Sequence, residues 1–100
     1  MVTKTKEEAL IEANRQKISA IDHQILSLVK ERESLSVAIG RIKQELAIPQ
    51  RDFAREKAVF EAAKHTALAI GLPANFAVAL QKLILEDSLS RQEQDRIKNA

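Results

Sequence analysis

The chain has 100 residues, of which 45% are hydrophobic and 30% charged, and this composition excludes a disordered tail. Its length fits a single domain over residues 1–100, although so short a chain buries little surface alone and gains from association. Sixteen basic and 14 acidic residues leave a net charge of +2, and the only aromatic residues are three phenylalanines. Nucleic-acid binding is therefore disfavoured, because it calls for a basic stripe and aromatic stacking platforms.

Several kinds of site and segment are missing from the sequence. There is no cysteine, which excludes a disulfide framework, a thiolate metal site and a cysteine nucleophile. The first ten residues, MVTKTKEEAL, lack the apolar stretch of a signal peptide, and no apolar run could span a bilayer, so a cytoplasmic protein is expected. His23 and His65 lie on different predicted helices without a second ligand at metal-binding spacing, so no metal is predicted.

A long amphipathic helix is predicted over about residues 5–45, interrupted by no proline and by one glycine, Gly40. At about 1.5 Å per residue it would be on the order of 60 Å long, more than the remaining chain can cover. The alternative is a break near Gly40, but no turn residue stands beside it. Apolar residues recur at steps of three and four, in what we call the apolar seam: Ile11, Ile18, Ile21, Ile25, Leu28, Leu35, Ile39, Ile42 and Leu46. This seam is expected to pack against a second copy of the chain.

A second helix is predicted over about residues 52–70. Pro49 ends the first helix because it lacks an amide hydrogen, and Asp52 has the character of an N-cap residue. Gly71 is predicted to form the C-cap. The side of this helix predicted to face the core consists of Phe53, Val59, Phe60, Ala63, Ala67 and Ile70.

A third helix is predicted over about residues 73–97, with Pro73 in its first turn. Its predicted apolar side consists of Phe76, Leu80, Leu83, Ile84 and Leu89. No segment shows the clean alternation of a strand, and two glycines are too few for a phosphate-binding loop. The predicted fold class is therefore all-α, with three helices and a very long first helix.

Arg32 is the charged residue that interrupts the apolar seam. A guanidinium at such a position needs an anionic partner, because burying an unpaired charge is costly. Lys43 follows eleven residues later, close to three helical turns, so both side chains project from nearly the same face about 16 Å apart. The two cations can converge on one small anion, although a solvated basic face is the ordinary interpretation of Lys43 alone.

Other polar residues have ordinary explanations when taken singly. Asp52, Arg55 and Glu56 lie on one side of a helix start, where a cap and surface ion pairs would suffice. Ser88 and Gln92 are one helical turn apart beside the apolar side of the third helix, where they could form its polar margin.

Four stretches taken together resemble the all-helical class of chorismate mutases. They are NRQKISAIDHQIL at 14–26, VKERESLSVAIGRIK at 29–43, RDFAREK at 51–57 and LILEDSLSRQ at 83–92. The resemblance covers about residues 10–95 and is nearest to the mutase domain at the N-terminus of bifunctional mutase/prephenate dehydratases. It implies the rearrangement of chorismate to prephenate, a step of the shikimate pathway to aromatic amino acids, with no cofactor and no nucleophile.

The resemblance also implies roles for particular residues. Such a site folds a flexible dianion into a chair-like conformation and stabilises negative charge on the breaking ether oxygen. Lys43 and Gln92 would donate hydrogen bonds to that oxygen, and Glu56, with the backbone near Asp52, would bind the ring hydroxyl. The residues implied to hold the substrate and its carboxylates are Arg15, Arg32, Arg55 and Ser88. The substrate would then be the anionic partner of Arg32.

Helix geometry adds an expectation about assembly. Arg15 and Lys43 are 28 residues apart, roughly 42 Å along a straight helix, so one chain cannot bring both to one small ligand. If two antiparallel copies cross near residue 26, Arg15 of one chain lies between Arg32 and Lys43 of the other. The resemblance likewise implies an interlocked antiparallel homodimer with two shared active sites.

Two alternative functions remain open at this point. An isochorismate pyruvate lyase of the same fold would also gather cations around an enolpyruvyl ether, although Glu56 together with Asp52 favours the mutase. A non-enzymatic helical dimerisation module would tolerate alanine at Arg32 and Lys43 with no loss beyond stability.

Overall fold

The computed structural model describes residues 5–99 and is all-helical. Its three helices are α1, Lys6–Glu45, α2, Phe53–Ile70, and α3, Ala74–Lys98, and residues 5–99 contain no strand. The predicted all-α class and the number of helices are confirmed. The expectation that the chain lacks a signal peptide concerns in part residues 1–4, which lie outside the described residues. The chain forms two compact units, Met1–Arg32 and Glu33–Ala100.

The start of α1 is held by a reciprocal pair of hydrogen bonds. The Glu8 amide donates to Thr5 Oγ1 at 3.1 Å, and the Thr5 amide donates to Glu8 Oε2 at 3.4 Å. This capping box satisfies backbone donors that have no partner inside the helix. Gly40 does not interrupt α1, so the alternative of two helices broken near this residue is wrong.

The apolar seam of α1 is exposed in the single chain. All nine seam residues keep between 48% and 63% of their surface accessible. No described helix combines the length and the apolar character needed to cross a membrane. The only buried apolar residues of the described chain are Ala63 and Ala67, so no large apolar side chain is buried within one protomer.

The end of α1 turns sharply through Ala47, which has a left-handed backbone conformation with φ 55°. The Ile48 amide donates to the carbonyl of Lys43 at 2.9 Å, and the Ala47 amide donates to that of Gln44 at 3.2 Å. This pair of bonds is the Schellman arrangement, in which glycine is the usual residue at the left-handed position. Alanine there carries a steric cost because its Cβ approaches the following carbonyl oxygen.

Both predicted caps of α2 are confirmed. Asp52 Oδ1 accepts a hydrogen bond from the Arg55 amide at 3.0 Å, and Gly71 adopts φ 81° while its amide donates to the Ala67 carbonyl. The core prediction is correct for Ala63 and Ala67 but not for Phe53 and Ile70, which are exposed in the single chain. The reason is geometric, because one neighbouring helix covers only one stripe of α2.

Pro73 is not in the first turn of α3. Its φ of −61° and ψ of 131° place it at the extended N-cap position, and the helix begins at Ala74. The short link through Gly71 lets α3 pack against α2. The apolar side predicted for α3 is likewise only partly covered, since Ile84 and Leu89 are half-buried while Phe76, Leu80 and Leu83 are exposed.

Polar contacts join α3 to the last part of α1. Arg41 donates to both carboxylate oxygens of Asp95, with a shortest distance of 2.7 Å. These hydrogen bonds, followed by the charge of the guanidinium, hold the pKa of Asp95 below its usual value. Arg91 lies 3.4 Å from Glu33, which forms a second ion pair between the helices. Side-chain contacts of this kind position α3 beside residues 33–45.

Replacing Ala47 by glycine should stabilise the protein. Glycine removes the steric cost of the left-handed conformation, and we expect a gain of about 1 kcal/mol, which corresponds to roughly 4–8 °C in Tm for a domain of this size. The matched control is Ala62→Gly at an exposed position inside α2, where glycine should lower the free energy of unfolding by about 1 kcal/mol. Thermal unfolding at one fixed protein concentration measures both, and a fall in Tm for Ala47→Gly would contradict the strain at this turn.

Candidate functional site

Six of the eight predicted site residues lie in the unit formed by residues 33–99. They are Lys43 near the end of α1, Asp52, Arg55 and Glu56 at the start of α2, and Ser88 and Gln92 on α3. The other two, Arg15 and Arg32, lie on α1 in the unit that ends at residue 32. Arg15 is exposed, whereas Arg32 is half-buried and takes part in an interaction within the chain.

Gln92 is held against α1 by a serine for which the sequence predicted no role. Gln92 Nε2 donates to the Ser36 carbonyl at 2.9 Å and to Ser36 Oγ at 3.0 Å. An amide nitrogen that donates to these oxygens has a defined orientation, because its own carbonyl oxygen must point the other way. Ser36 therefore fixes which end of the Gln92 amide acts as the donor.

Lys43 is held by the segment that follows α1. Its Nζ donates to the backbone carbonyl of Gln50 at 3.1 Å, and the side chain is half-buried. Gln50 in turn donates from Nε2 to the Gly40 carbonyl at 3.0 Å. An ammonium group has three N–H donors, so this contact leaves Lys43 able to donate to a ligand.

Gly40 is buried at the point where two glutamine side chains approach α1. A Cβ atom at this position would lie 3.1 Å from Gln92 Cγ and 3.2 Å from Gln50 Oε1. Both distances are shorter than the 3.4–4 Å of ordinary van der Waals contact for a Cβ atom. The absence of a side chain at residue 40 therefore allows Gln92 and the partner of Lys43 to pack next to the same turn of helix.

The start of α2 contributes a carboxylate that is already paired. Arg51 donates to both oxygens of Glu56, at 2.9 and 3.0 Å, and its guanidinium lies 4.6 Å from the ring centre of Phe53. These hydrogen bonds raise the pKa of Arg51. The bidentate contact uses two of the four lone-pair sites of the Glu56 carboxylate, which leaves acceptor capacity for a ligand hydroxyl.

The remaining site residues differ in their surroundings. Asp52 uses Oδ1 to cap α2, and Arg55, whose amide binds that oxygen, has an exposed side chain. Ser88 is the one buried polar residue of the described chain, with 6% of its surface accessible, and it takes part in an interaction there. No group of three histidine, aspartate or glutamate residues in residues 5–99 is arranged to hold a metal ion.

The geometry gathers hydrogen-bond donors on one short stretch of the unit. Lys43 and Gln92 are both hydrogen-bonded to groups close to Gly40. Gln50, which holds Lys43, is followed in the chain by Arg51, which binds the carboxylate of Glu56. The ammonium of Lys43 and the carboxylate of Glu56 suit a small molecule with an acceptor oxygen and a hydroxyl group, and Gln92 would add a neutral donor once its amide turns from Ser36. Gly40 is the one sequence signal for these contacts, because a glycine in the middle of a helix often marks a close approach by another segment.

Comparison with known proteins points to one family. The sequence profile of the family described as chorismate mutase type II matches residues 14–93. A protein of Methanocaldococcus jannaschii named chorismate mutase is 31% identical over 80 residues, which cover 80% of this chain and 81% of the relative. The family match spans all the described site residues, from Arg15 to Gln92.

Longer relatives match the same region. The bifunctional chorismate mutase/prephenate dehydratase of Escherichia coli K12 is 38% identical over 89 residues, which are 89% of this chain and 23% of the relative. The protein of the same name in Enterobacter agglomerans is 37% identical over 81 residues, or 81% of this chain and 21% of that protein. This chain thus spans less than a quarter of the length of these bifunctional relatives. The family predicted from the sequence motifs is confirmed.

Alanine at position 40 should disturb both glutamines. Replacing a helical glycine by alanine normally adds about 1 kcal/mol of stability, but here the added Cβ must displace Gln92 and Gln50, so Tm should not rise. The side-chain amide NMR signals of both glutamines should shift. The control is Gly71→Ala, where a Cβ meets no atom within 4 Å but φ is positive, so Tm should fall while those amide signals stay in place. Unshifted signals in Gly40→Ala would contradict the close approach.

Proposed function

The chain belongs to the chorismate mutase type II family, and from this premise we propose that it converts chorismate to prephenate. The reaction is an intramolecular rearrangement, in which one carbon–oxygen bond breaks while one carbon–carbon bond forms. It needs neither an acid nor a base. A protein accelerates it by holding the reactive conformation and by stabilising the negative charge that develops on the ether oxygen.

One observation carries the assignment of the donors to the ether oxygen. Lys43 and Gln92, distant in sequence, are both held beside Gly40, where Lys43 keeps two N–H groups for a ligand and Gln92 would donate to the ligand in place of its contacts with Ser36. A cationic donor and a neutral donor directed at one oxygen stabilise charge in the transition state more than in the ground state. In this proposal Lys43 and Gln92 are the catalytic residues that contact the ether oxygen.

The other residues of the site bind the rest of the substrate. Glu56, with the backbone near Asp52, binds the ring hydroxyl. Its carboxylate accepts a hydrogen bond from that hydroxyl through the lone pairs that Arg51 leaves available. Arg32 and Arg55 bind the two carboxylates, since a guanidinium offers paired donors to a carboxylate. Ser88 lies beside one of these carboxylates. Together these contacts hold the flexible dianion in the chair-like conformation that reacts.

The proposed enzyme is an antiparallel homodimer joined through α1. The apolar seam leaves nine leucine and isoleucine side chains about half accessible, whereas the described single chain buries only two alanines as apolar core. Covering half of each seam side chain is worth on the order of 10 kcal/mol per chain, which is comparable to the whole stability of a domain. A second copy provides the same seam and therefore covers it along its length.

The partner chain also completes the proposed site. Because Arg15 is separated from Lys43 by 28 residues of one helix, the Arg15 that contacts the substrate comes from the other protomer. Each dimer then contains two sites, each with one arginine supplied in this way. The chain acts as one mutase domain over residues 1–100, and a cytoplasmic location remains part of the prediction.

Activity and product identity test the proposed reaction. The protein should consume chorismate, followed by the loss of its ultraviolet absorbance, and proton NMR should identify prephenate as the product. Lys43→Ala or Gln92→Ala should lower kcat by about 10²–10³-fold, because each removes one donor to the developing charge. The matched controls are Lys64→Ala and Gln94→Ala, which remove exposed side chains outside the site and should leave kcat unchanged.

Two results would contradict this assignment. A folded protein that ignores chorismate but releases pyruvate from isochorismate would be a lyase of the same fold. A folded Lys43→Ala protein with unchanged kcat would remove Lys43 from its catalytic role. Circular dichroism and Tm establish that each variant is folded before its rate is compared.

Mixed dimers test the shared site. Arg15→Ala and Arg32→Ala chains should each be inactive alone, yet a purified heterodimer of the two contains one intact site and should show about half the wild-type rate. The control is a heterodimer of Arg32→Ala with Lys43→Ala. Both of its sites carry a defect, because these two residues act in the same protomer, so it should recover no activity. Equal recovery in the two mixtures would exclude the shared geometry.

A further inference from the structure

Gln50 lies between α1 and α2 and makes two different contacts with the end of α1. Its backbone carbonyl accepts from Lys43 Nζ at 3.1 Å, and its side-chain Nε2 donates to the Gly40 carbonyl at 3.0 Å. The side chain thus fastens the segment after Pro49 to the helix three residues before Lys43. The same residue holds the ammonium group through its main chain and is itself held through its side chain.

The surroundings of Gln50 are too tight for this contact to be a chance surface interaction. Gln50 Oε1 would lie 3.2 Å from a Cβ at residue 40, so the position of the amide depends on a glycine there. Within the described chain this oxygen is buried and accepts no hydrogen bond. A buried acceptor without a partner costs roughly 1–3 kcal/mol. An apolar side chain would avoid that cost, so stability alone does not explain a glutamine.

We propose that Gln50 is a positioning residue for Lys43, fixing through its Gly40 contact the carbonyl that holds the lysine ammonium in place for the substrate. The inference rests on the proposed chorismate mutase function and adds to it a residue that does not touch the substrate. One N–H of the ammonium is used by the Gln50 carbonyl, and two remain for the ligand. The Lys43 side chain has four rotatable bonds. A fixed Gln50 carbonyl restricts its conformations before the substrate binds, so less conformational entropy is lost when the ammonium contacts the substrate.

The consequence is specific to the transition state. Charge on the ether oxygen appears as the bond breaks, so a misplaced ammonium weakens transition-state binding more than substrate binding. Loss of the Gln50 side chain should therefore lower kcat while KM changes little. A residue that only joined α1 to α2 would instead lower Tm and leave the kinetic constants of the folded protein unchanged.

The test uses Gln50→Met in the full chain, which keeps the side-chain length and removes the donor to Gly40. We expect kcat to fall about tenfold and KM to change less than about twofold, consistent with a small displacement of a catalytic group. NMR relaxation of the Lys43 ammonium should show greater mobility. Gln44→Met is the matched control, because it makes the same substitution at an exposed glutamine next to Lys43 and should change neither value. Gln50→Ala is measured alongside in case the methionine does not fold.

A double variant separates positioning from general destabilisation. If Gln50 acts through Lys43, adding Gln50→Met to Lys43→Ala should cause no further fall in kcat, because the group it positions is already gone. A further tenfold fall in the double variant, or unchanged ammonium mobility in Gln50→Met, would overturn the inference. Wild-type protein that does not convert chorismate would instead reject the proposed function, and the inference with it. An active wild type with unchanged kcat in both folded Gln50 variants would reject the inference alone.

Discussion

The close approach of side chains to Gly40 is the contact on which the candidate site depends. Gln92 from α3 and Gln50 from the segment before α2 each place an atom within 3.2 Å of where any other residue at position 40 would put its Cβ. Through these glutamines, two elements distant in sequence reach the turn of α1 that leads to Lys43. The absence of a Cβ at Gly40 therefore lets α1, α3 and the segment before α2 meet through hydrogen-bonded side chains.

Polar contacts join α3 to the end of α1. Gln92 with Ser36, and Arg41 with Asp95, are directional bonds that set both position and orientation. Exposed ion pairs add little stability, since solvent screens them, so their main effect is on geometry. The apolar seam of α1 stays exposed in the single chain. In the proposed dimer the same helix carries residues that orient ligand-binding groups and residues that drive association, and Arg32 lies among the latter.

This double use of α1 links the proposed assembly to the proposed activity. The proposed dimer covers the apolar seam, and the same step brings Arg15 of one chain to the donors of the other. In that proposed dimer, a chain with so small an apolar core of its own would gain most of its burial from the partner. Under this proposal folding, dimerisation and completion of the active site are one process, and weakening the seam should reduce all three together.

The sequence by itself determined the elements, their caps and the family. Heptad spacing predicted α1, Asp52 and Gly71 marked the ends of α2, and four motifs placed the chain among the chorismate mutases, because these signals are local or lie in a fixed order along the chain. Local propensity placed Pro73 in the first turn of α3, one residue away from its actual N-cap position. It also overestimated how much of Phe53 and Phe76 one protomer covers, since coverage depends on neighbouring helices.

Only the tertiary structure decided which groups hold the site residues. Ser36 and Gln92 are 56 residues apart, and Gln50 binds Gly40 across a turn, so no periodicity in the sequence connects either pair. Arg51 donates two hydrogen bonds to Glu56, a pairing that no sequence motif predicted. Such contacts depend on distances between elements, which packing sets and which spacing along the chain does not encode.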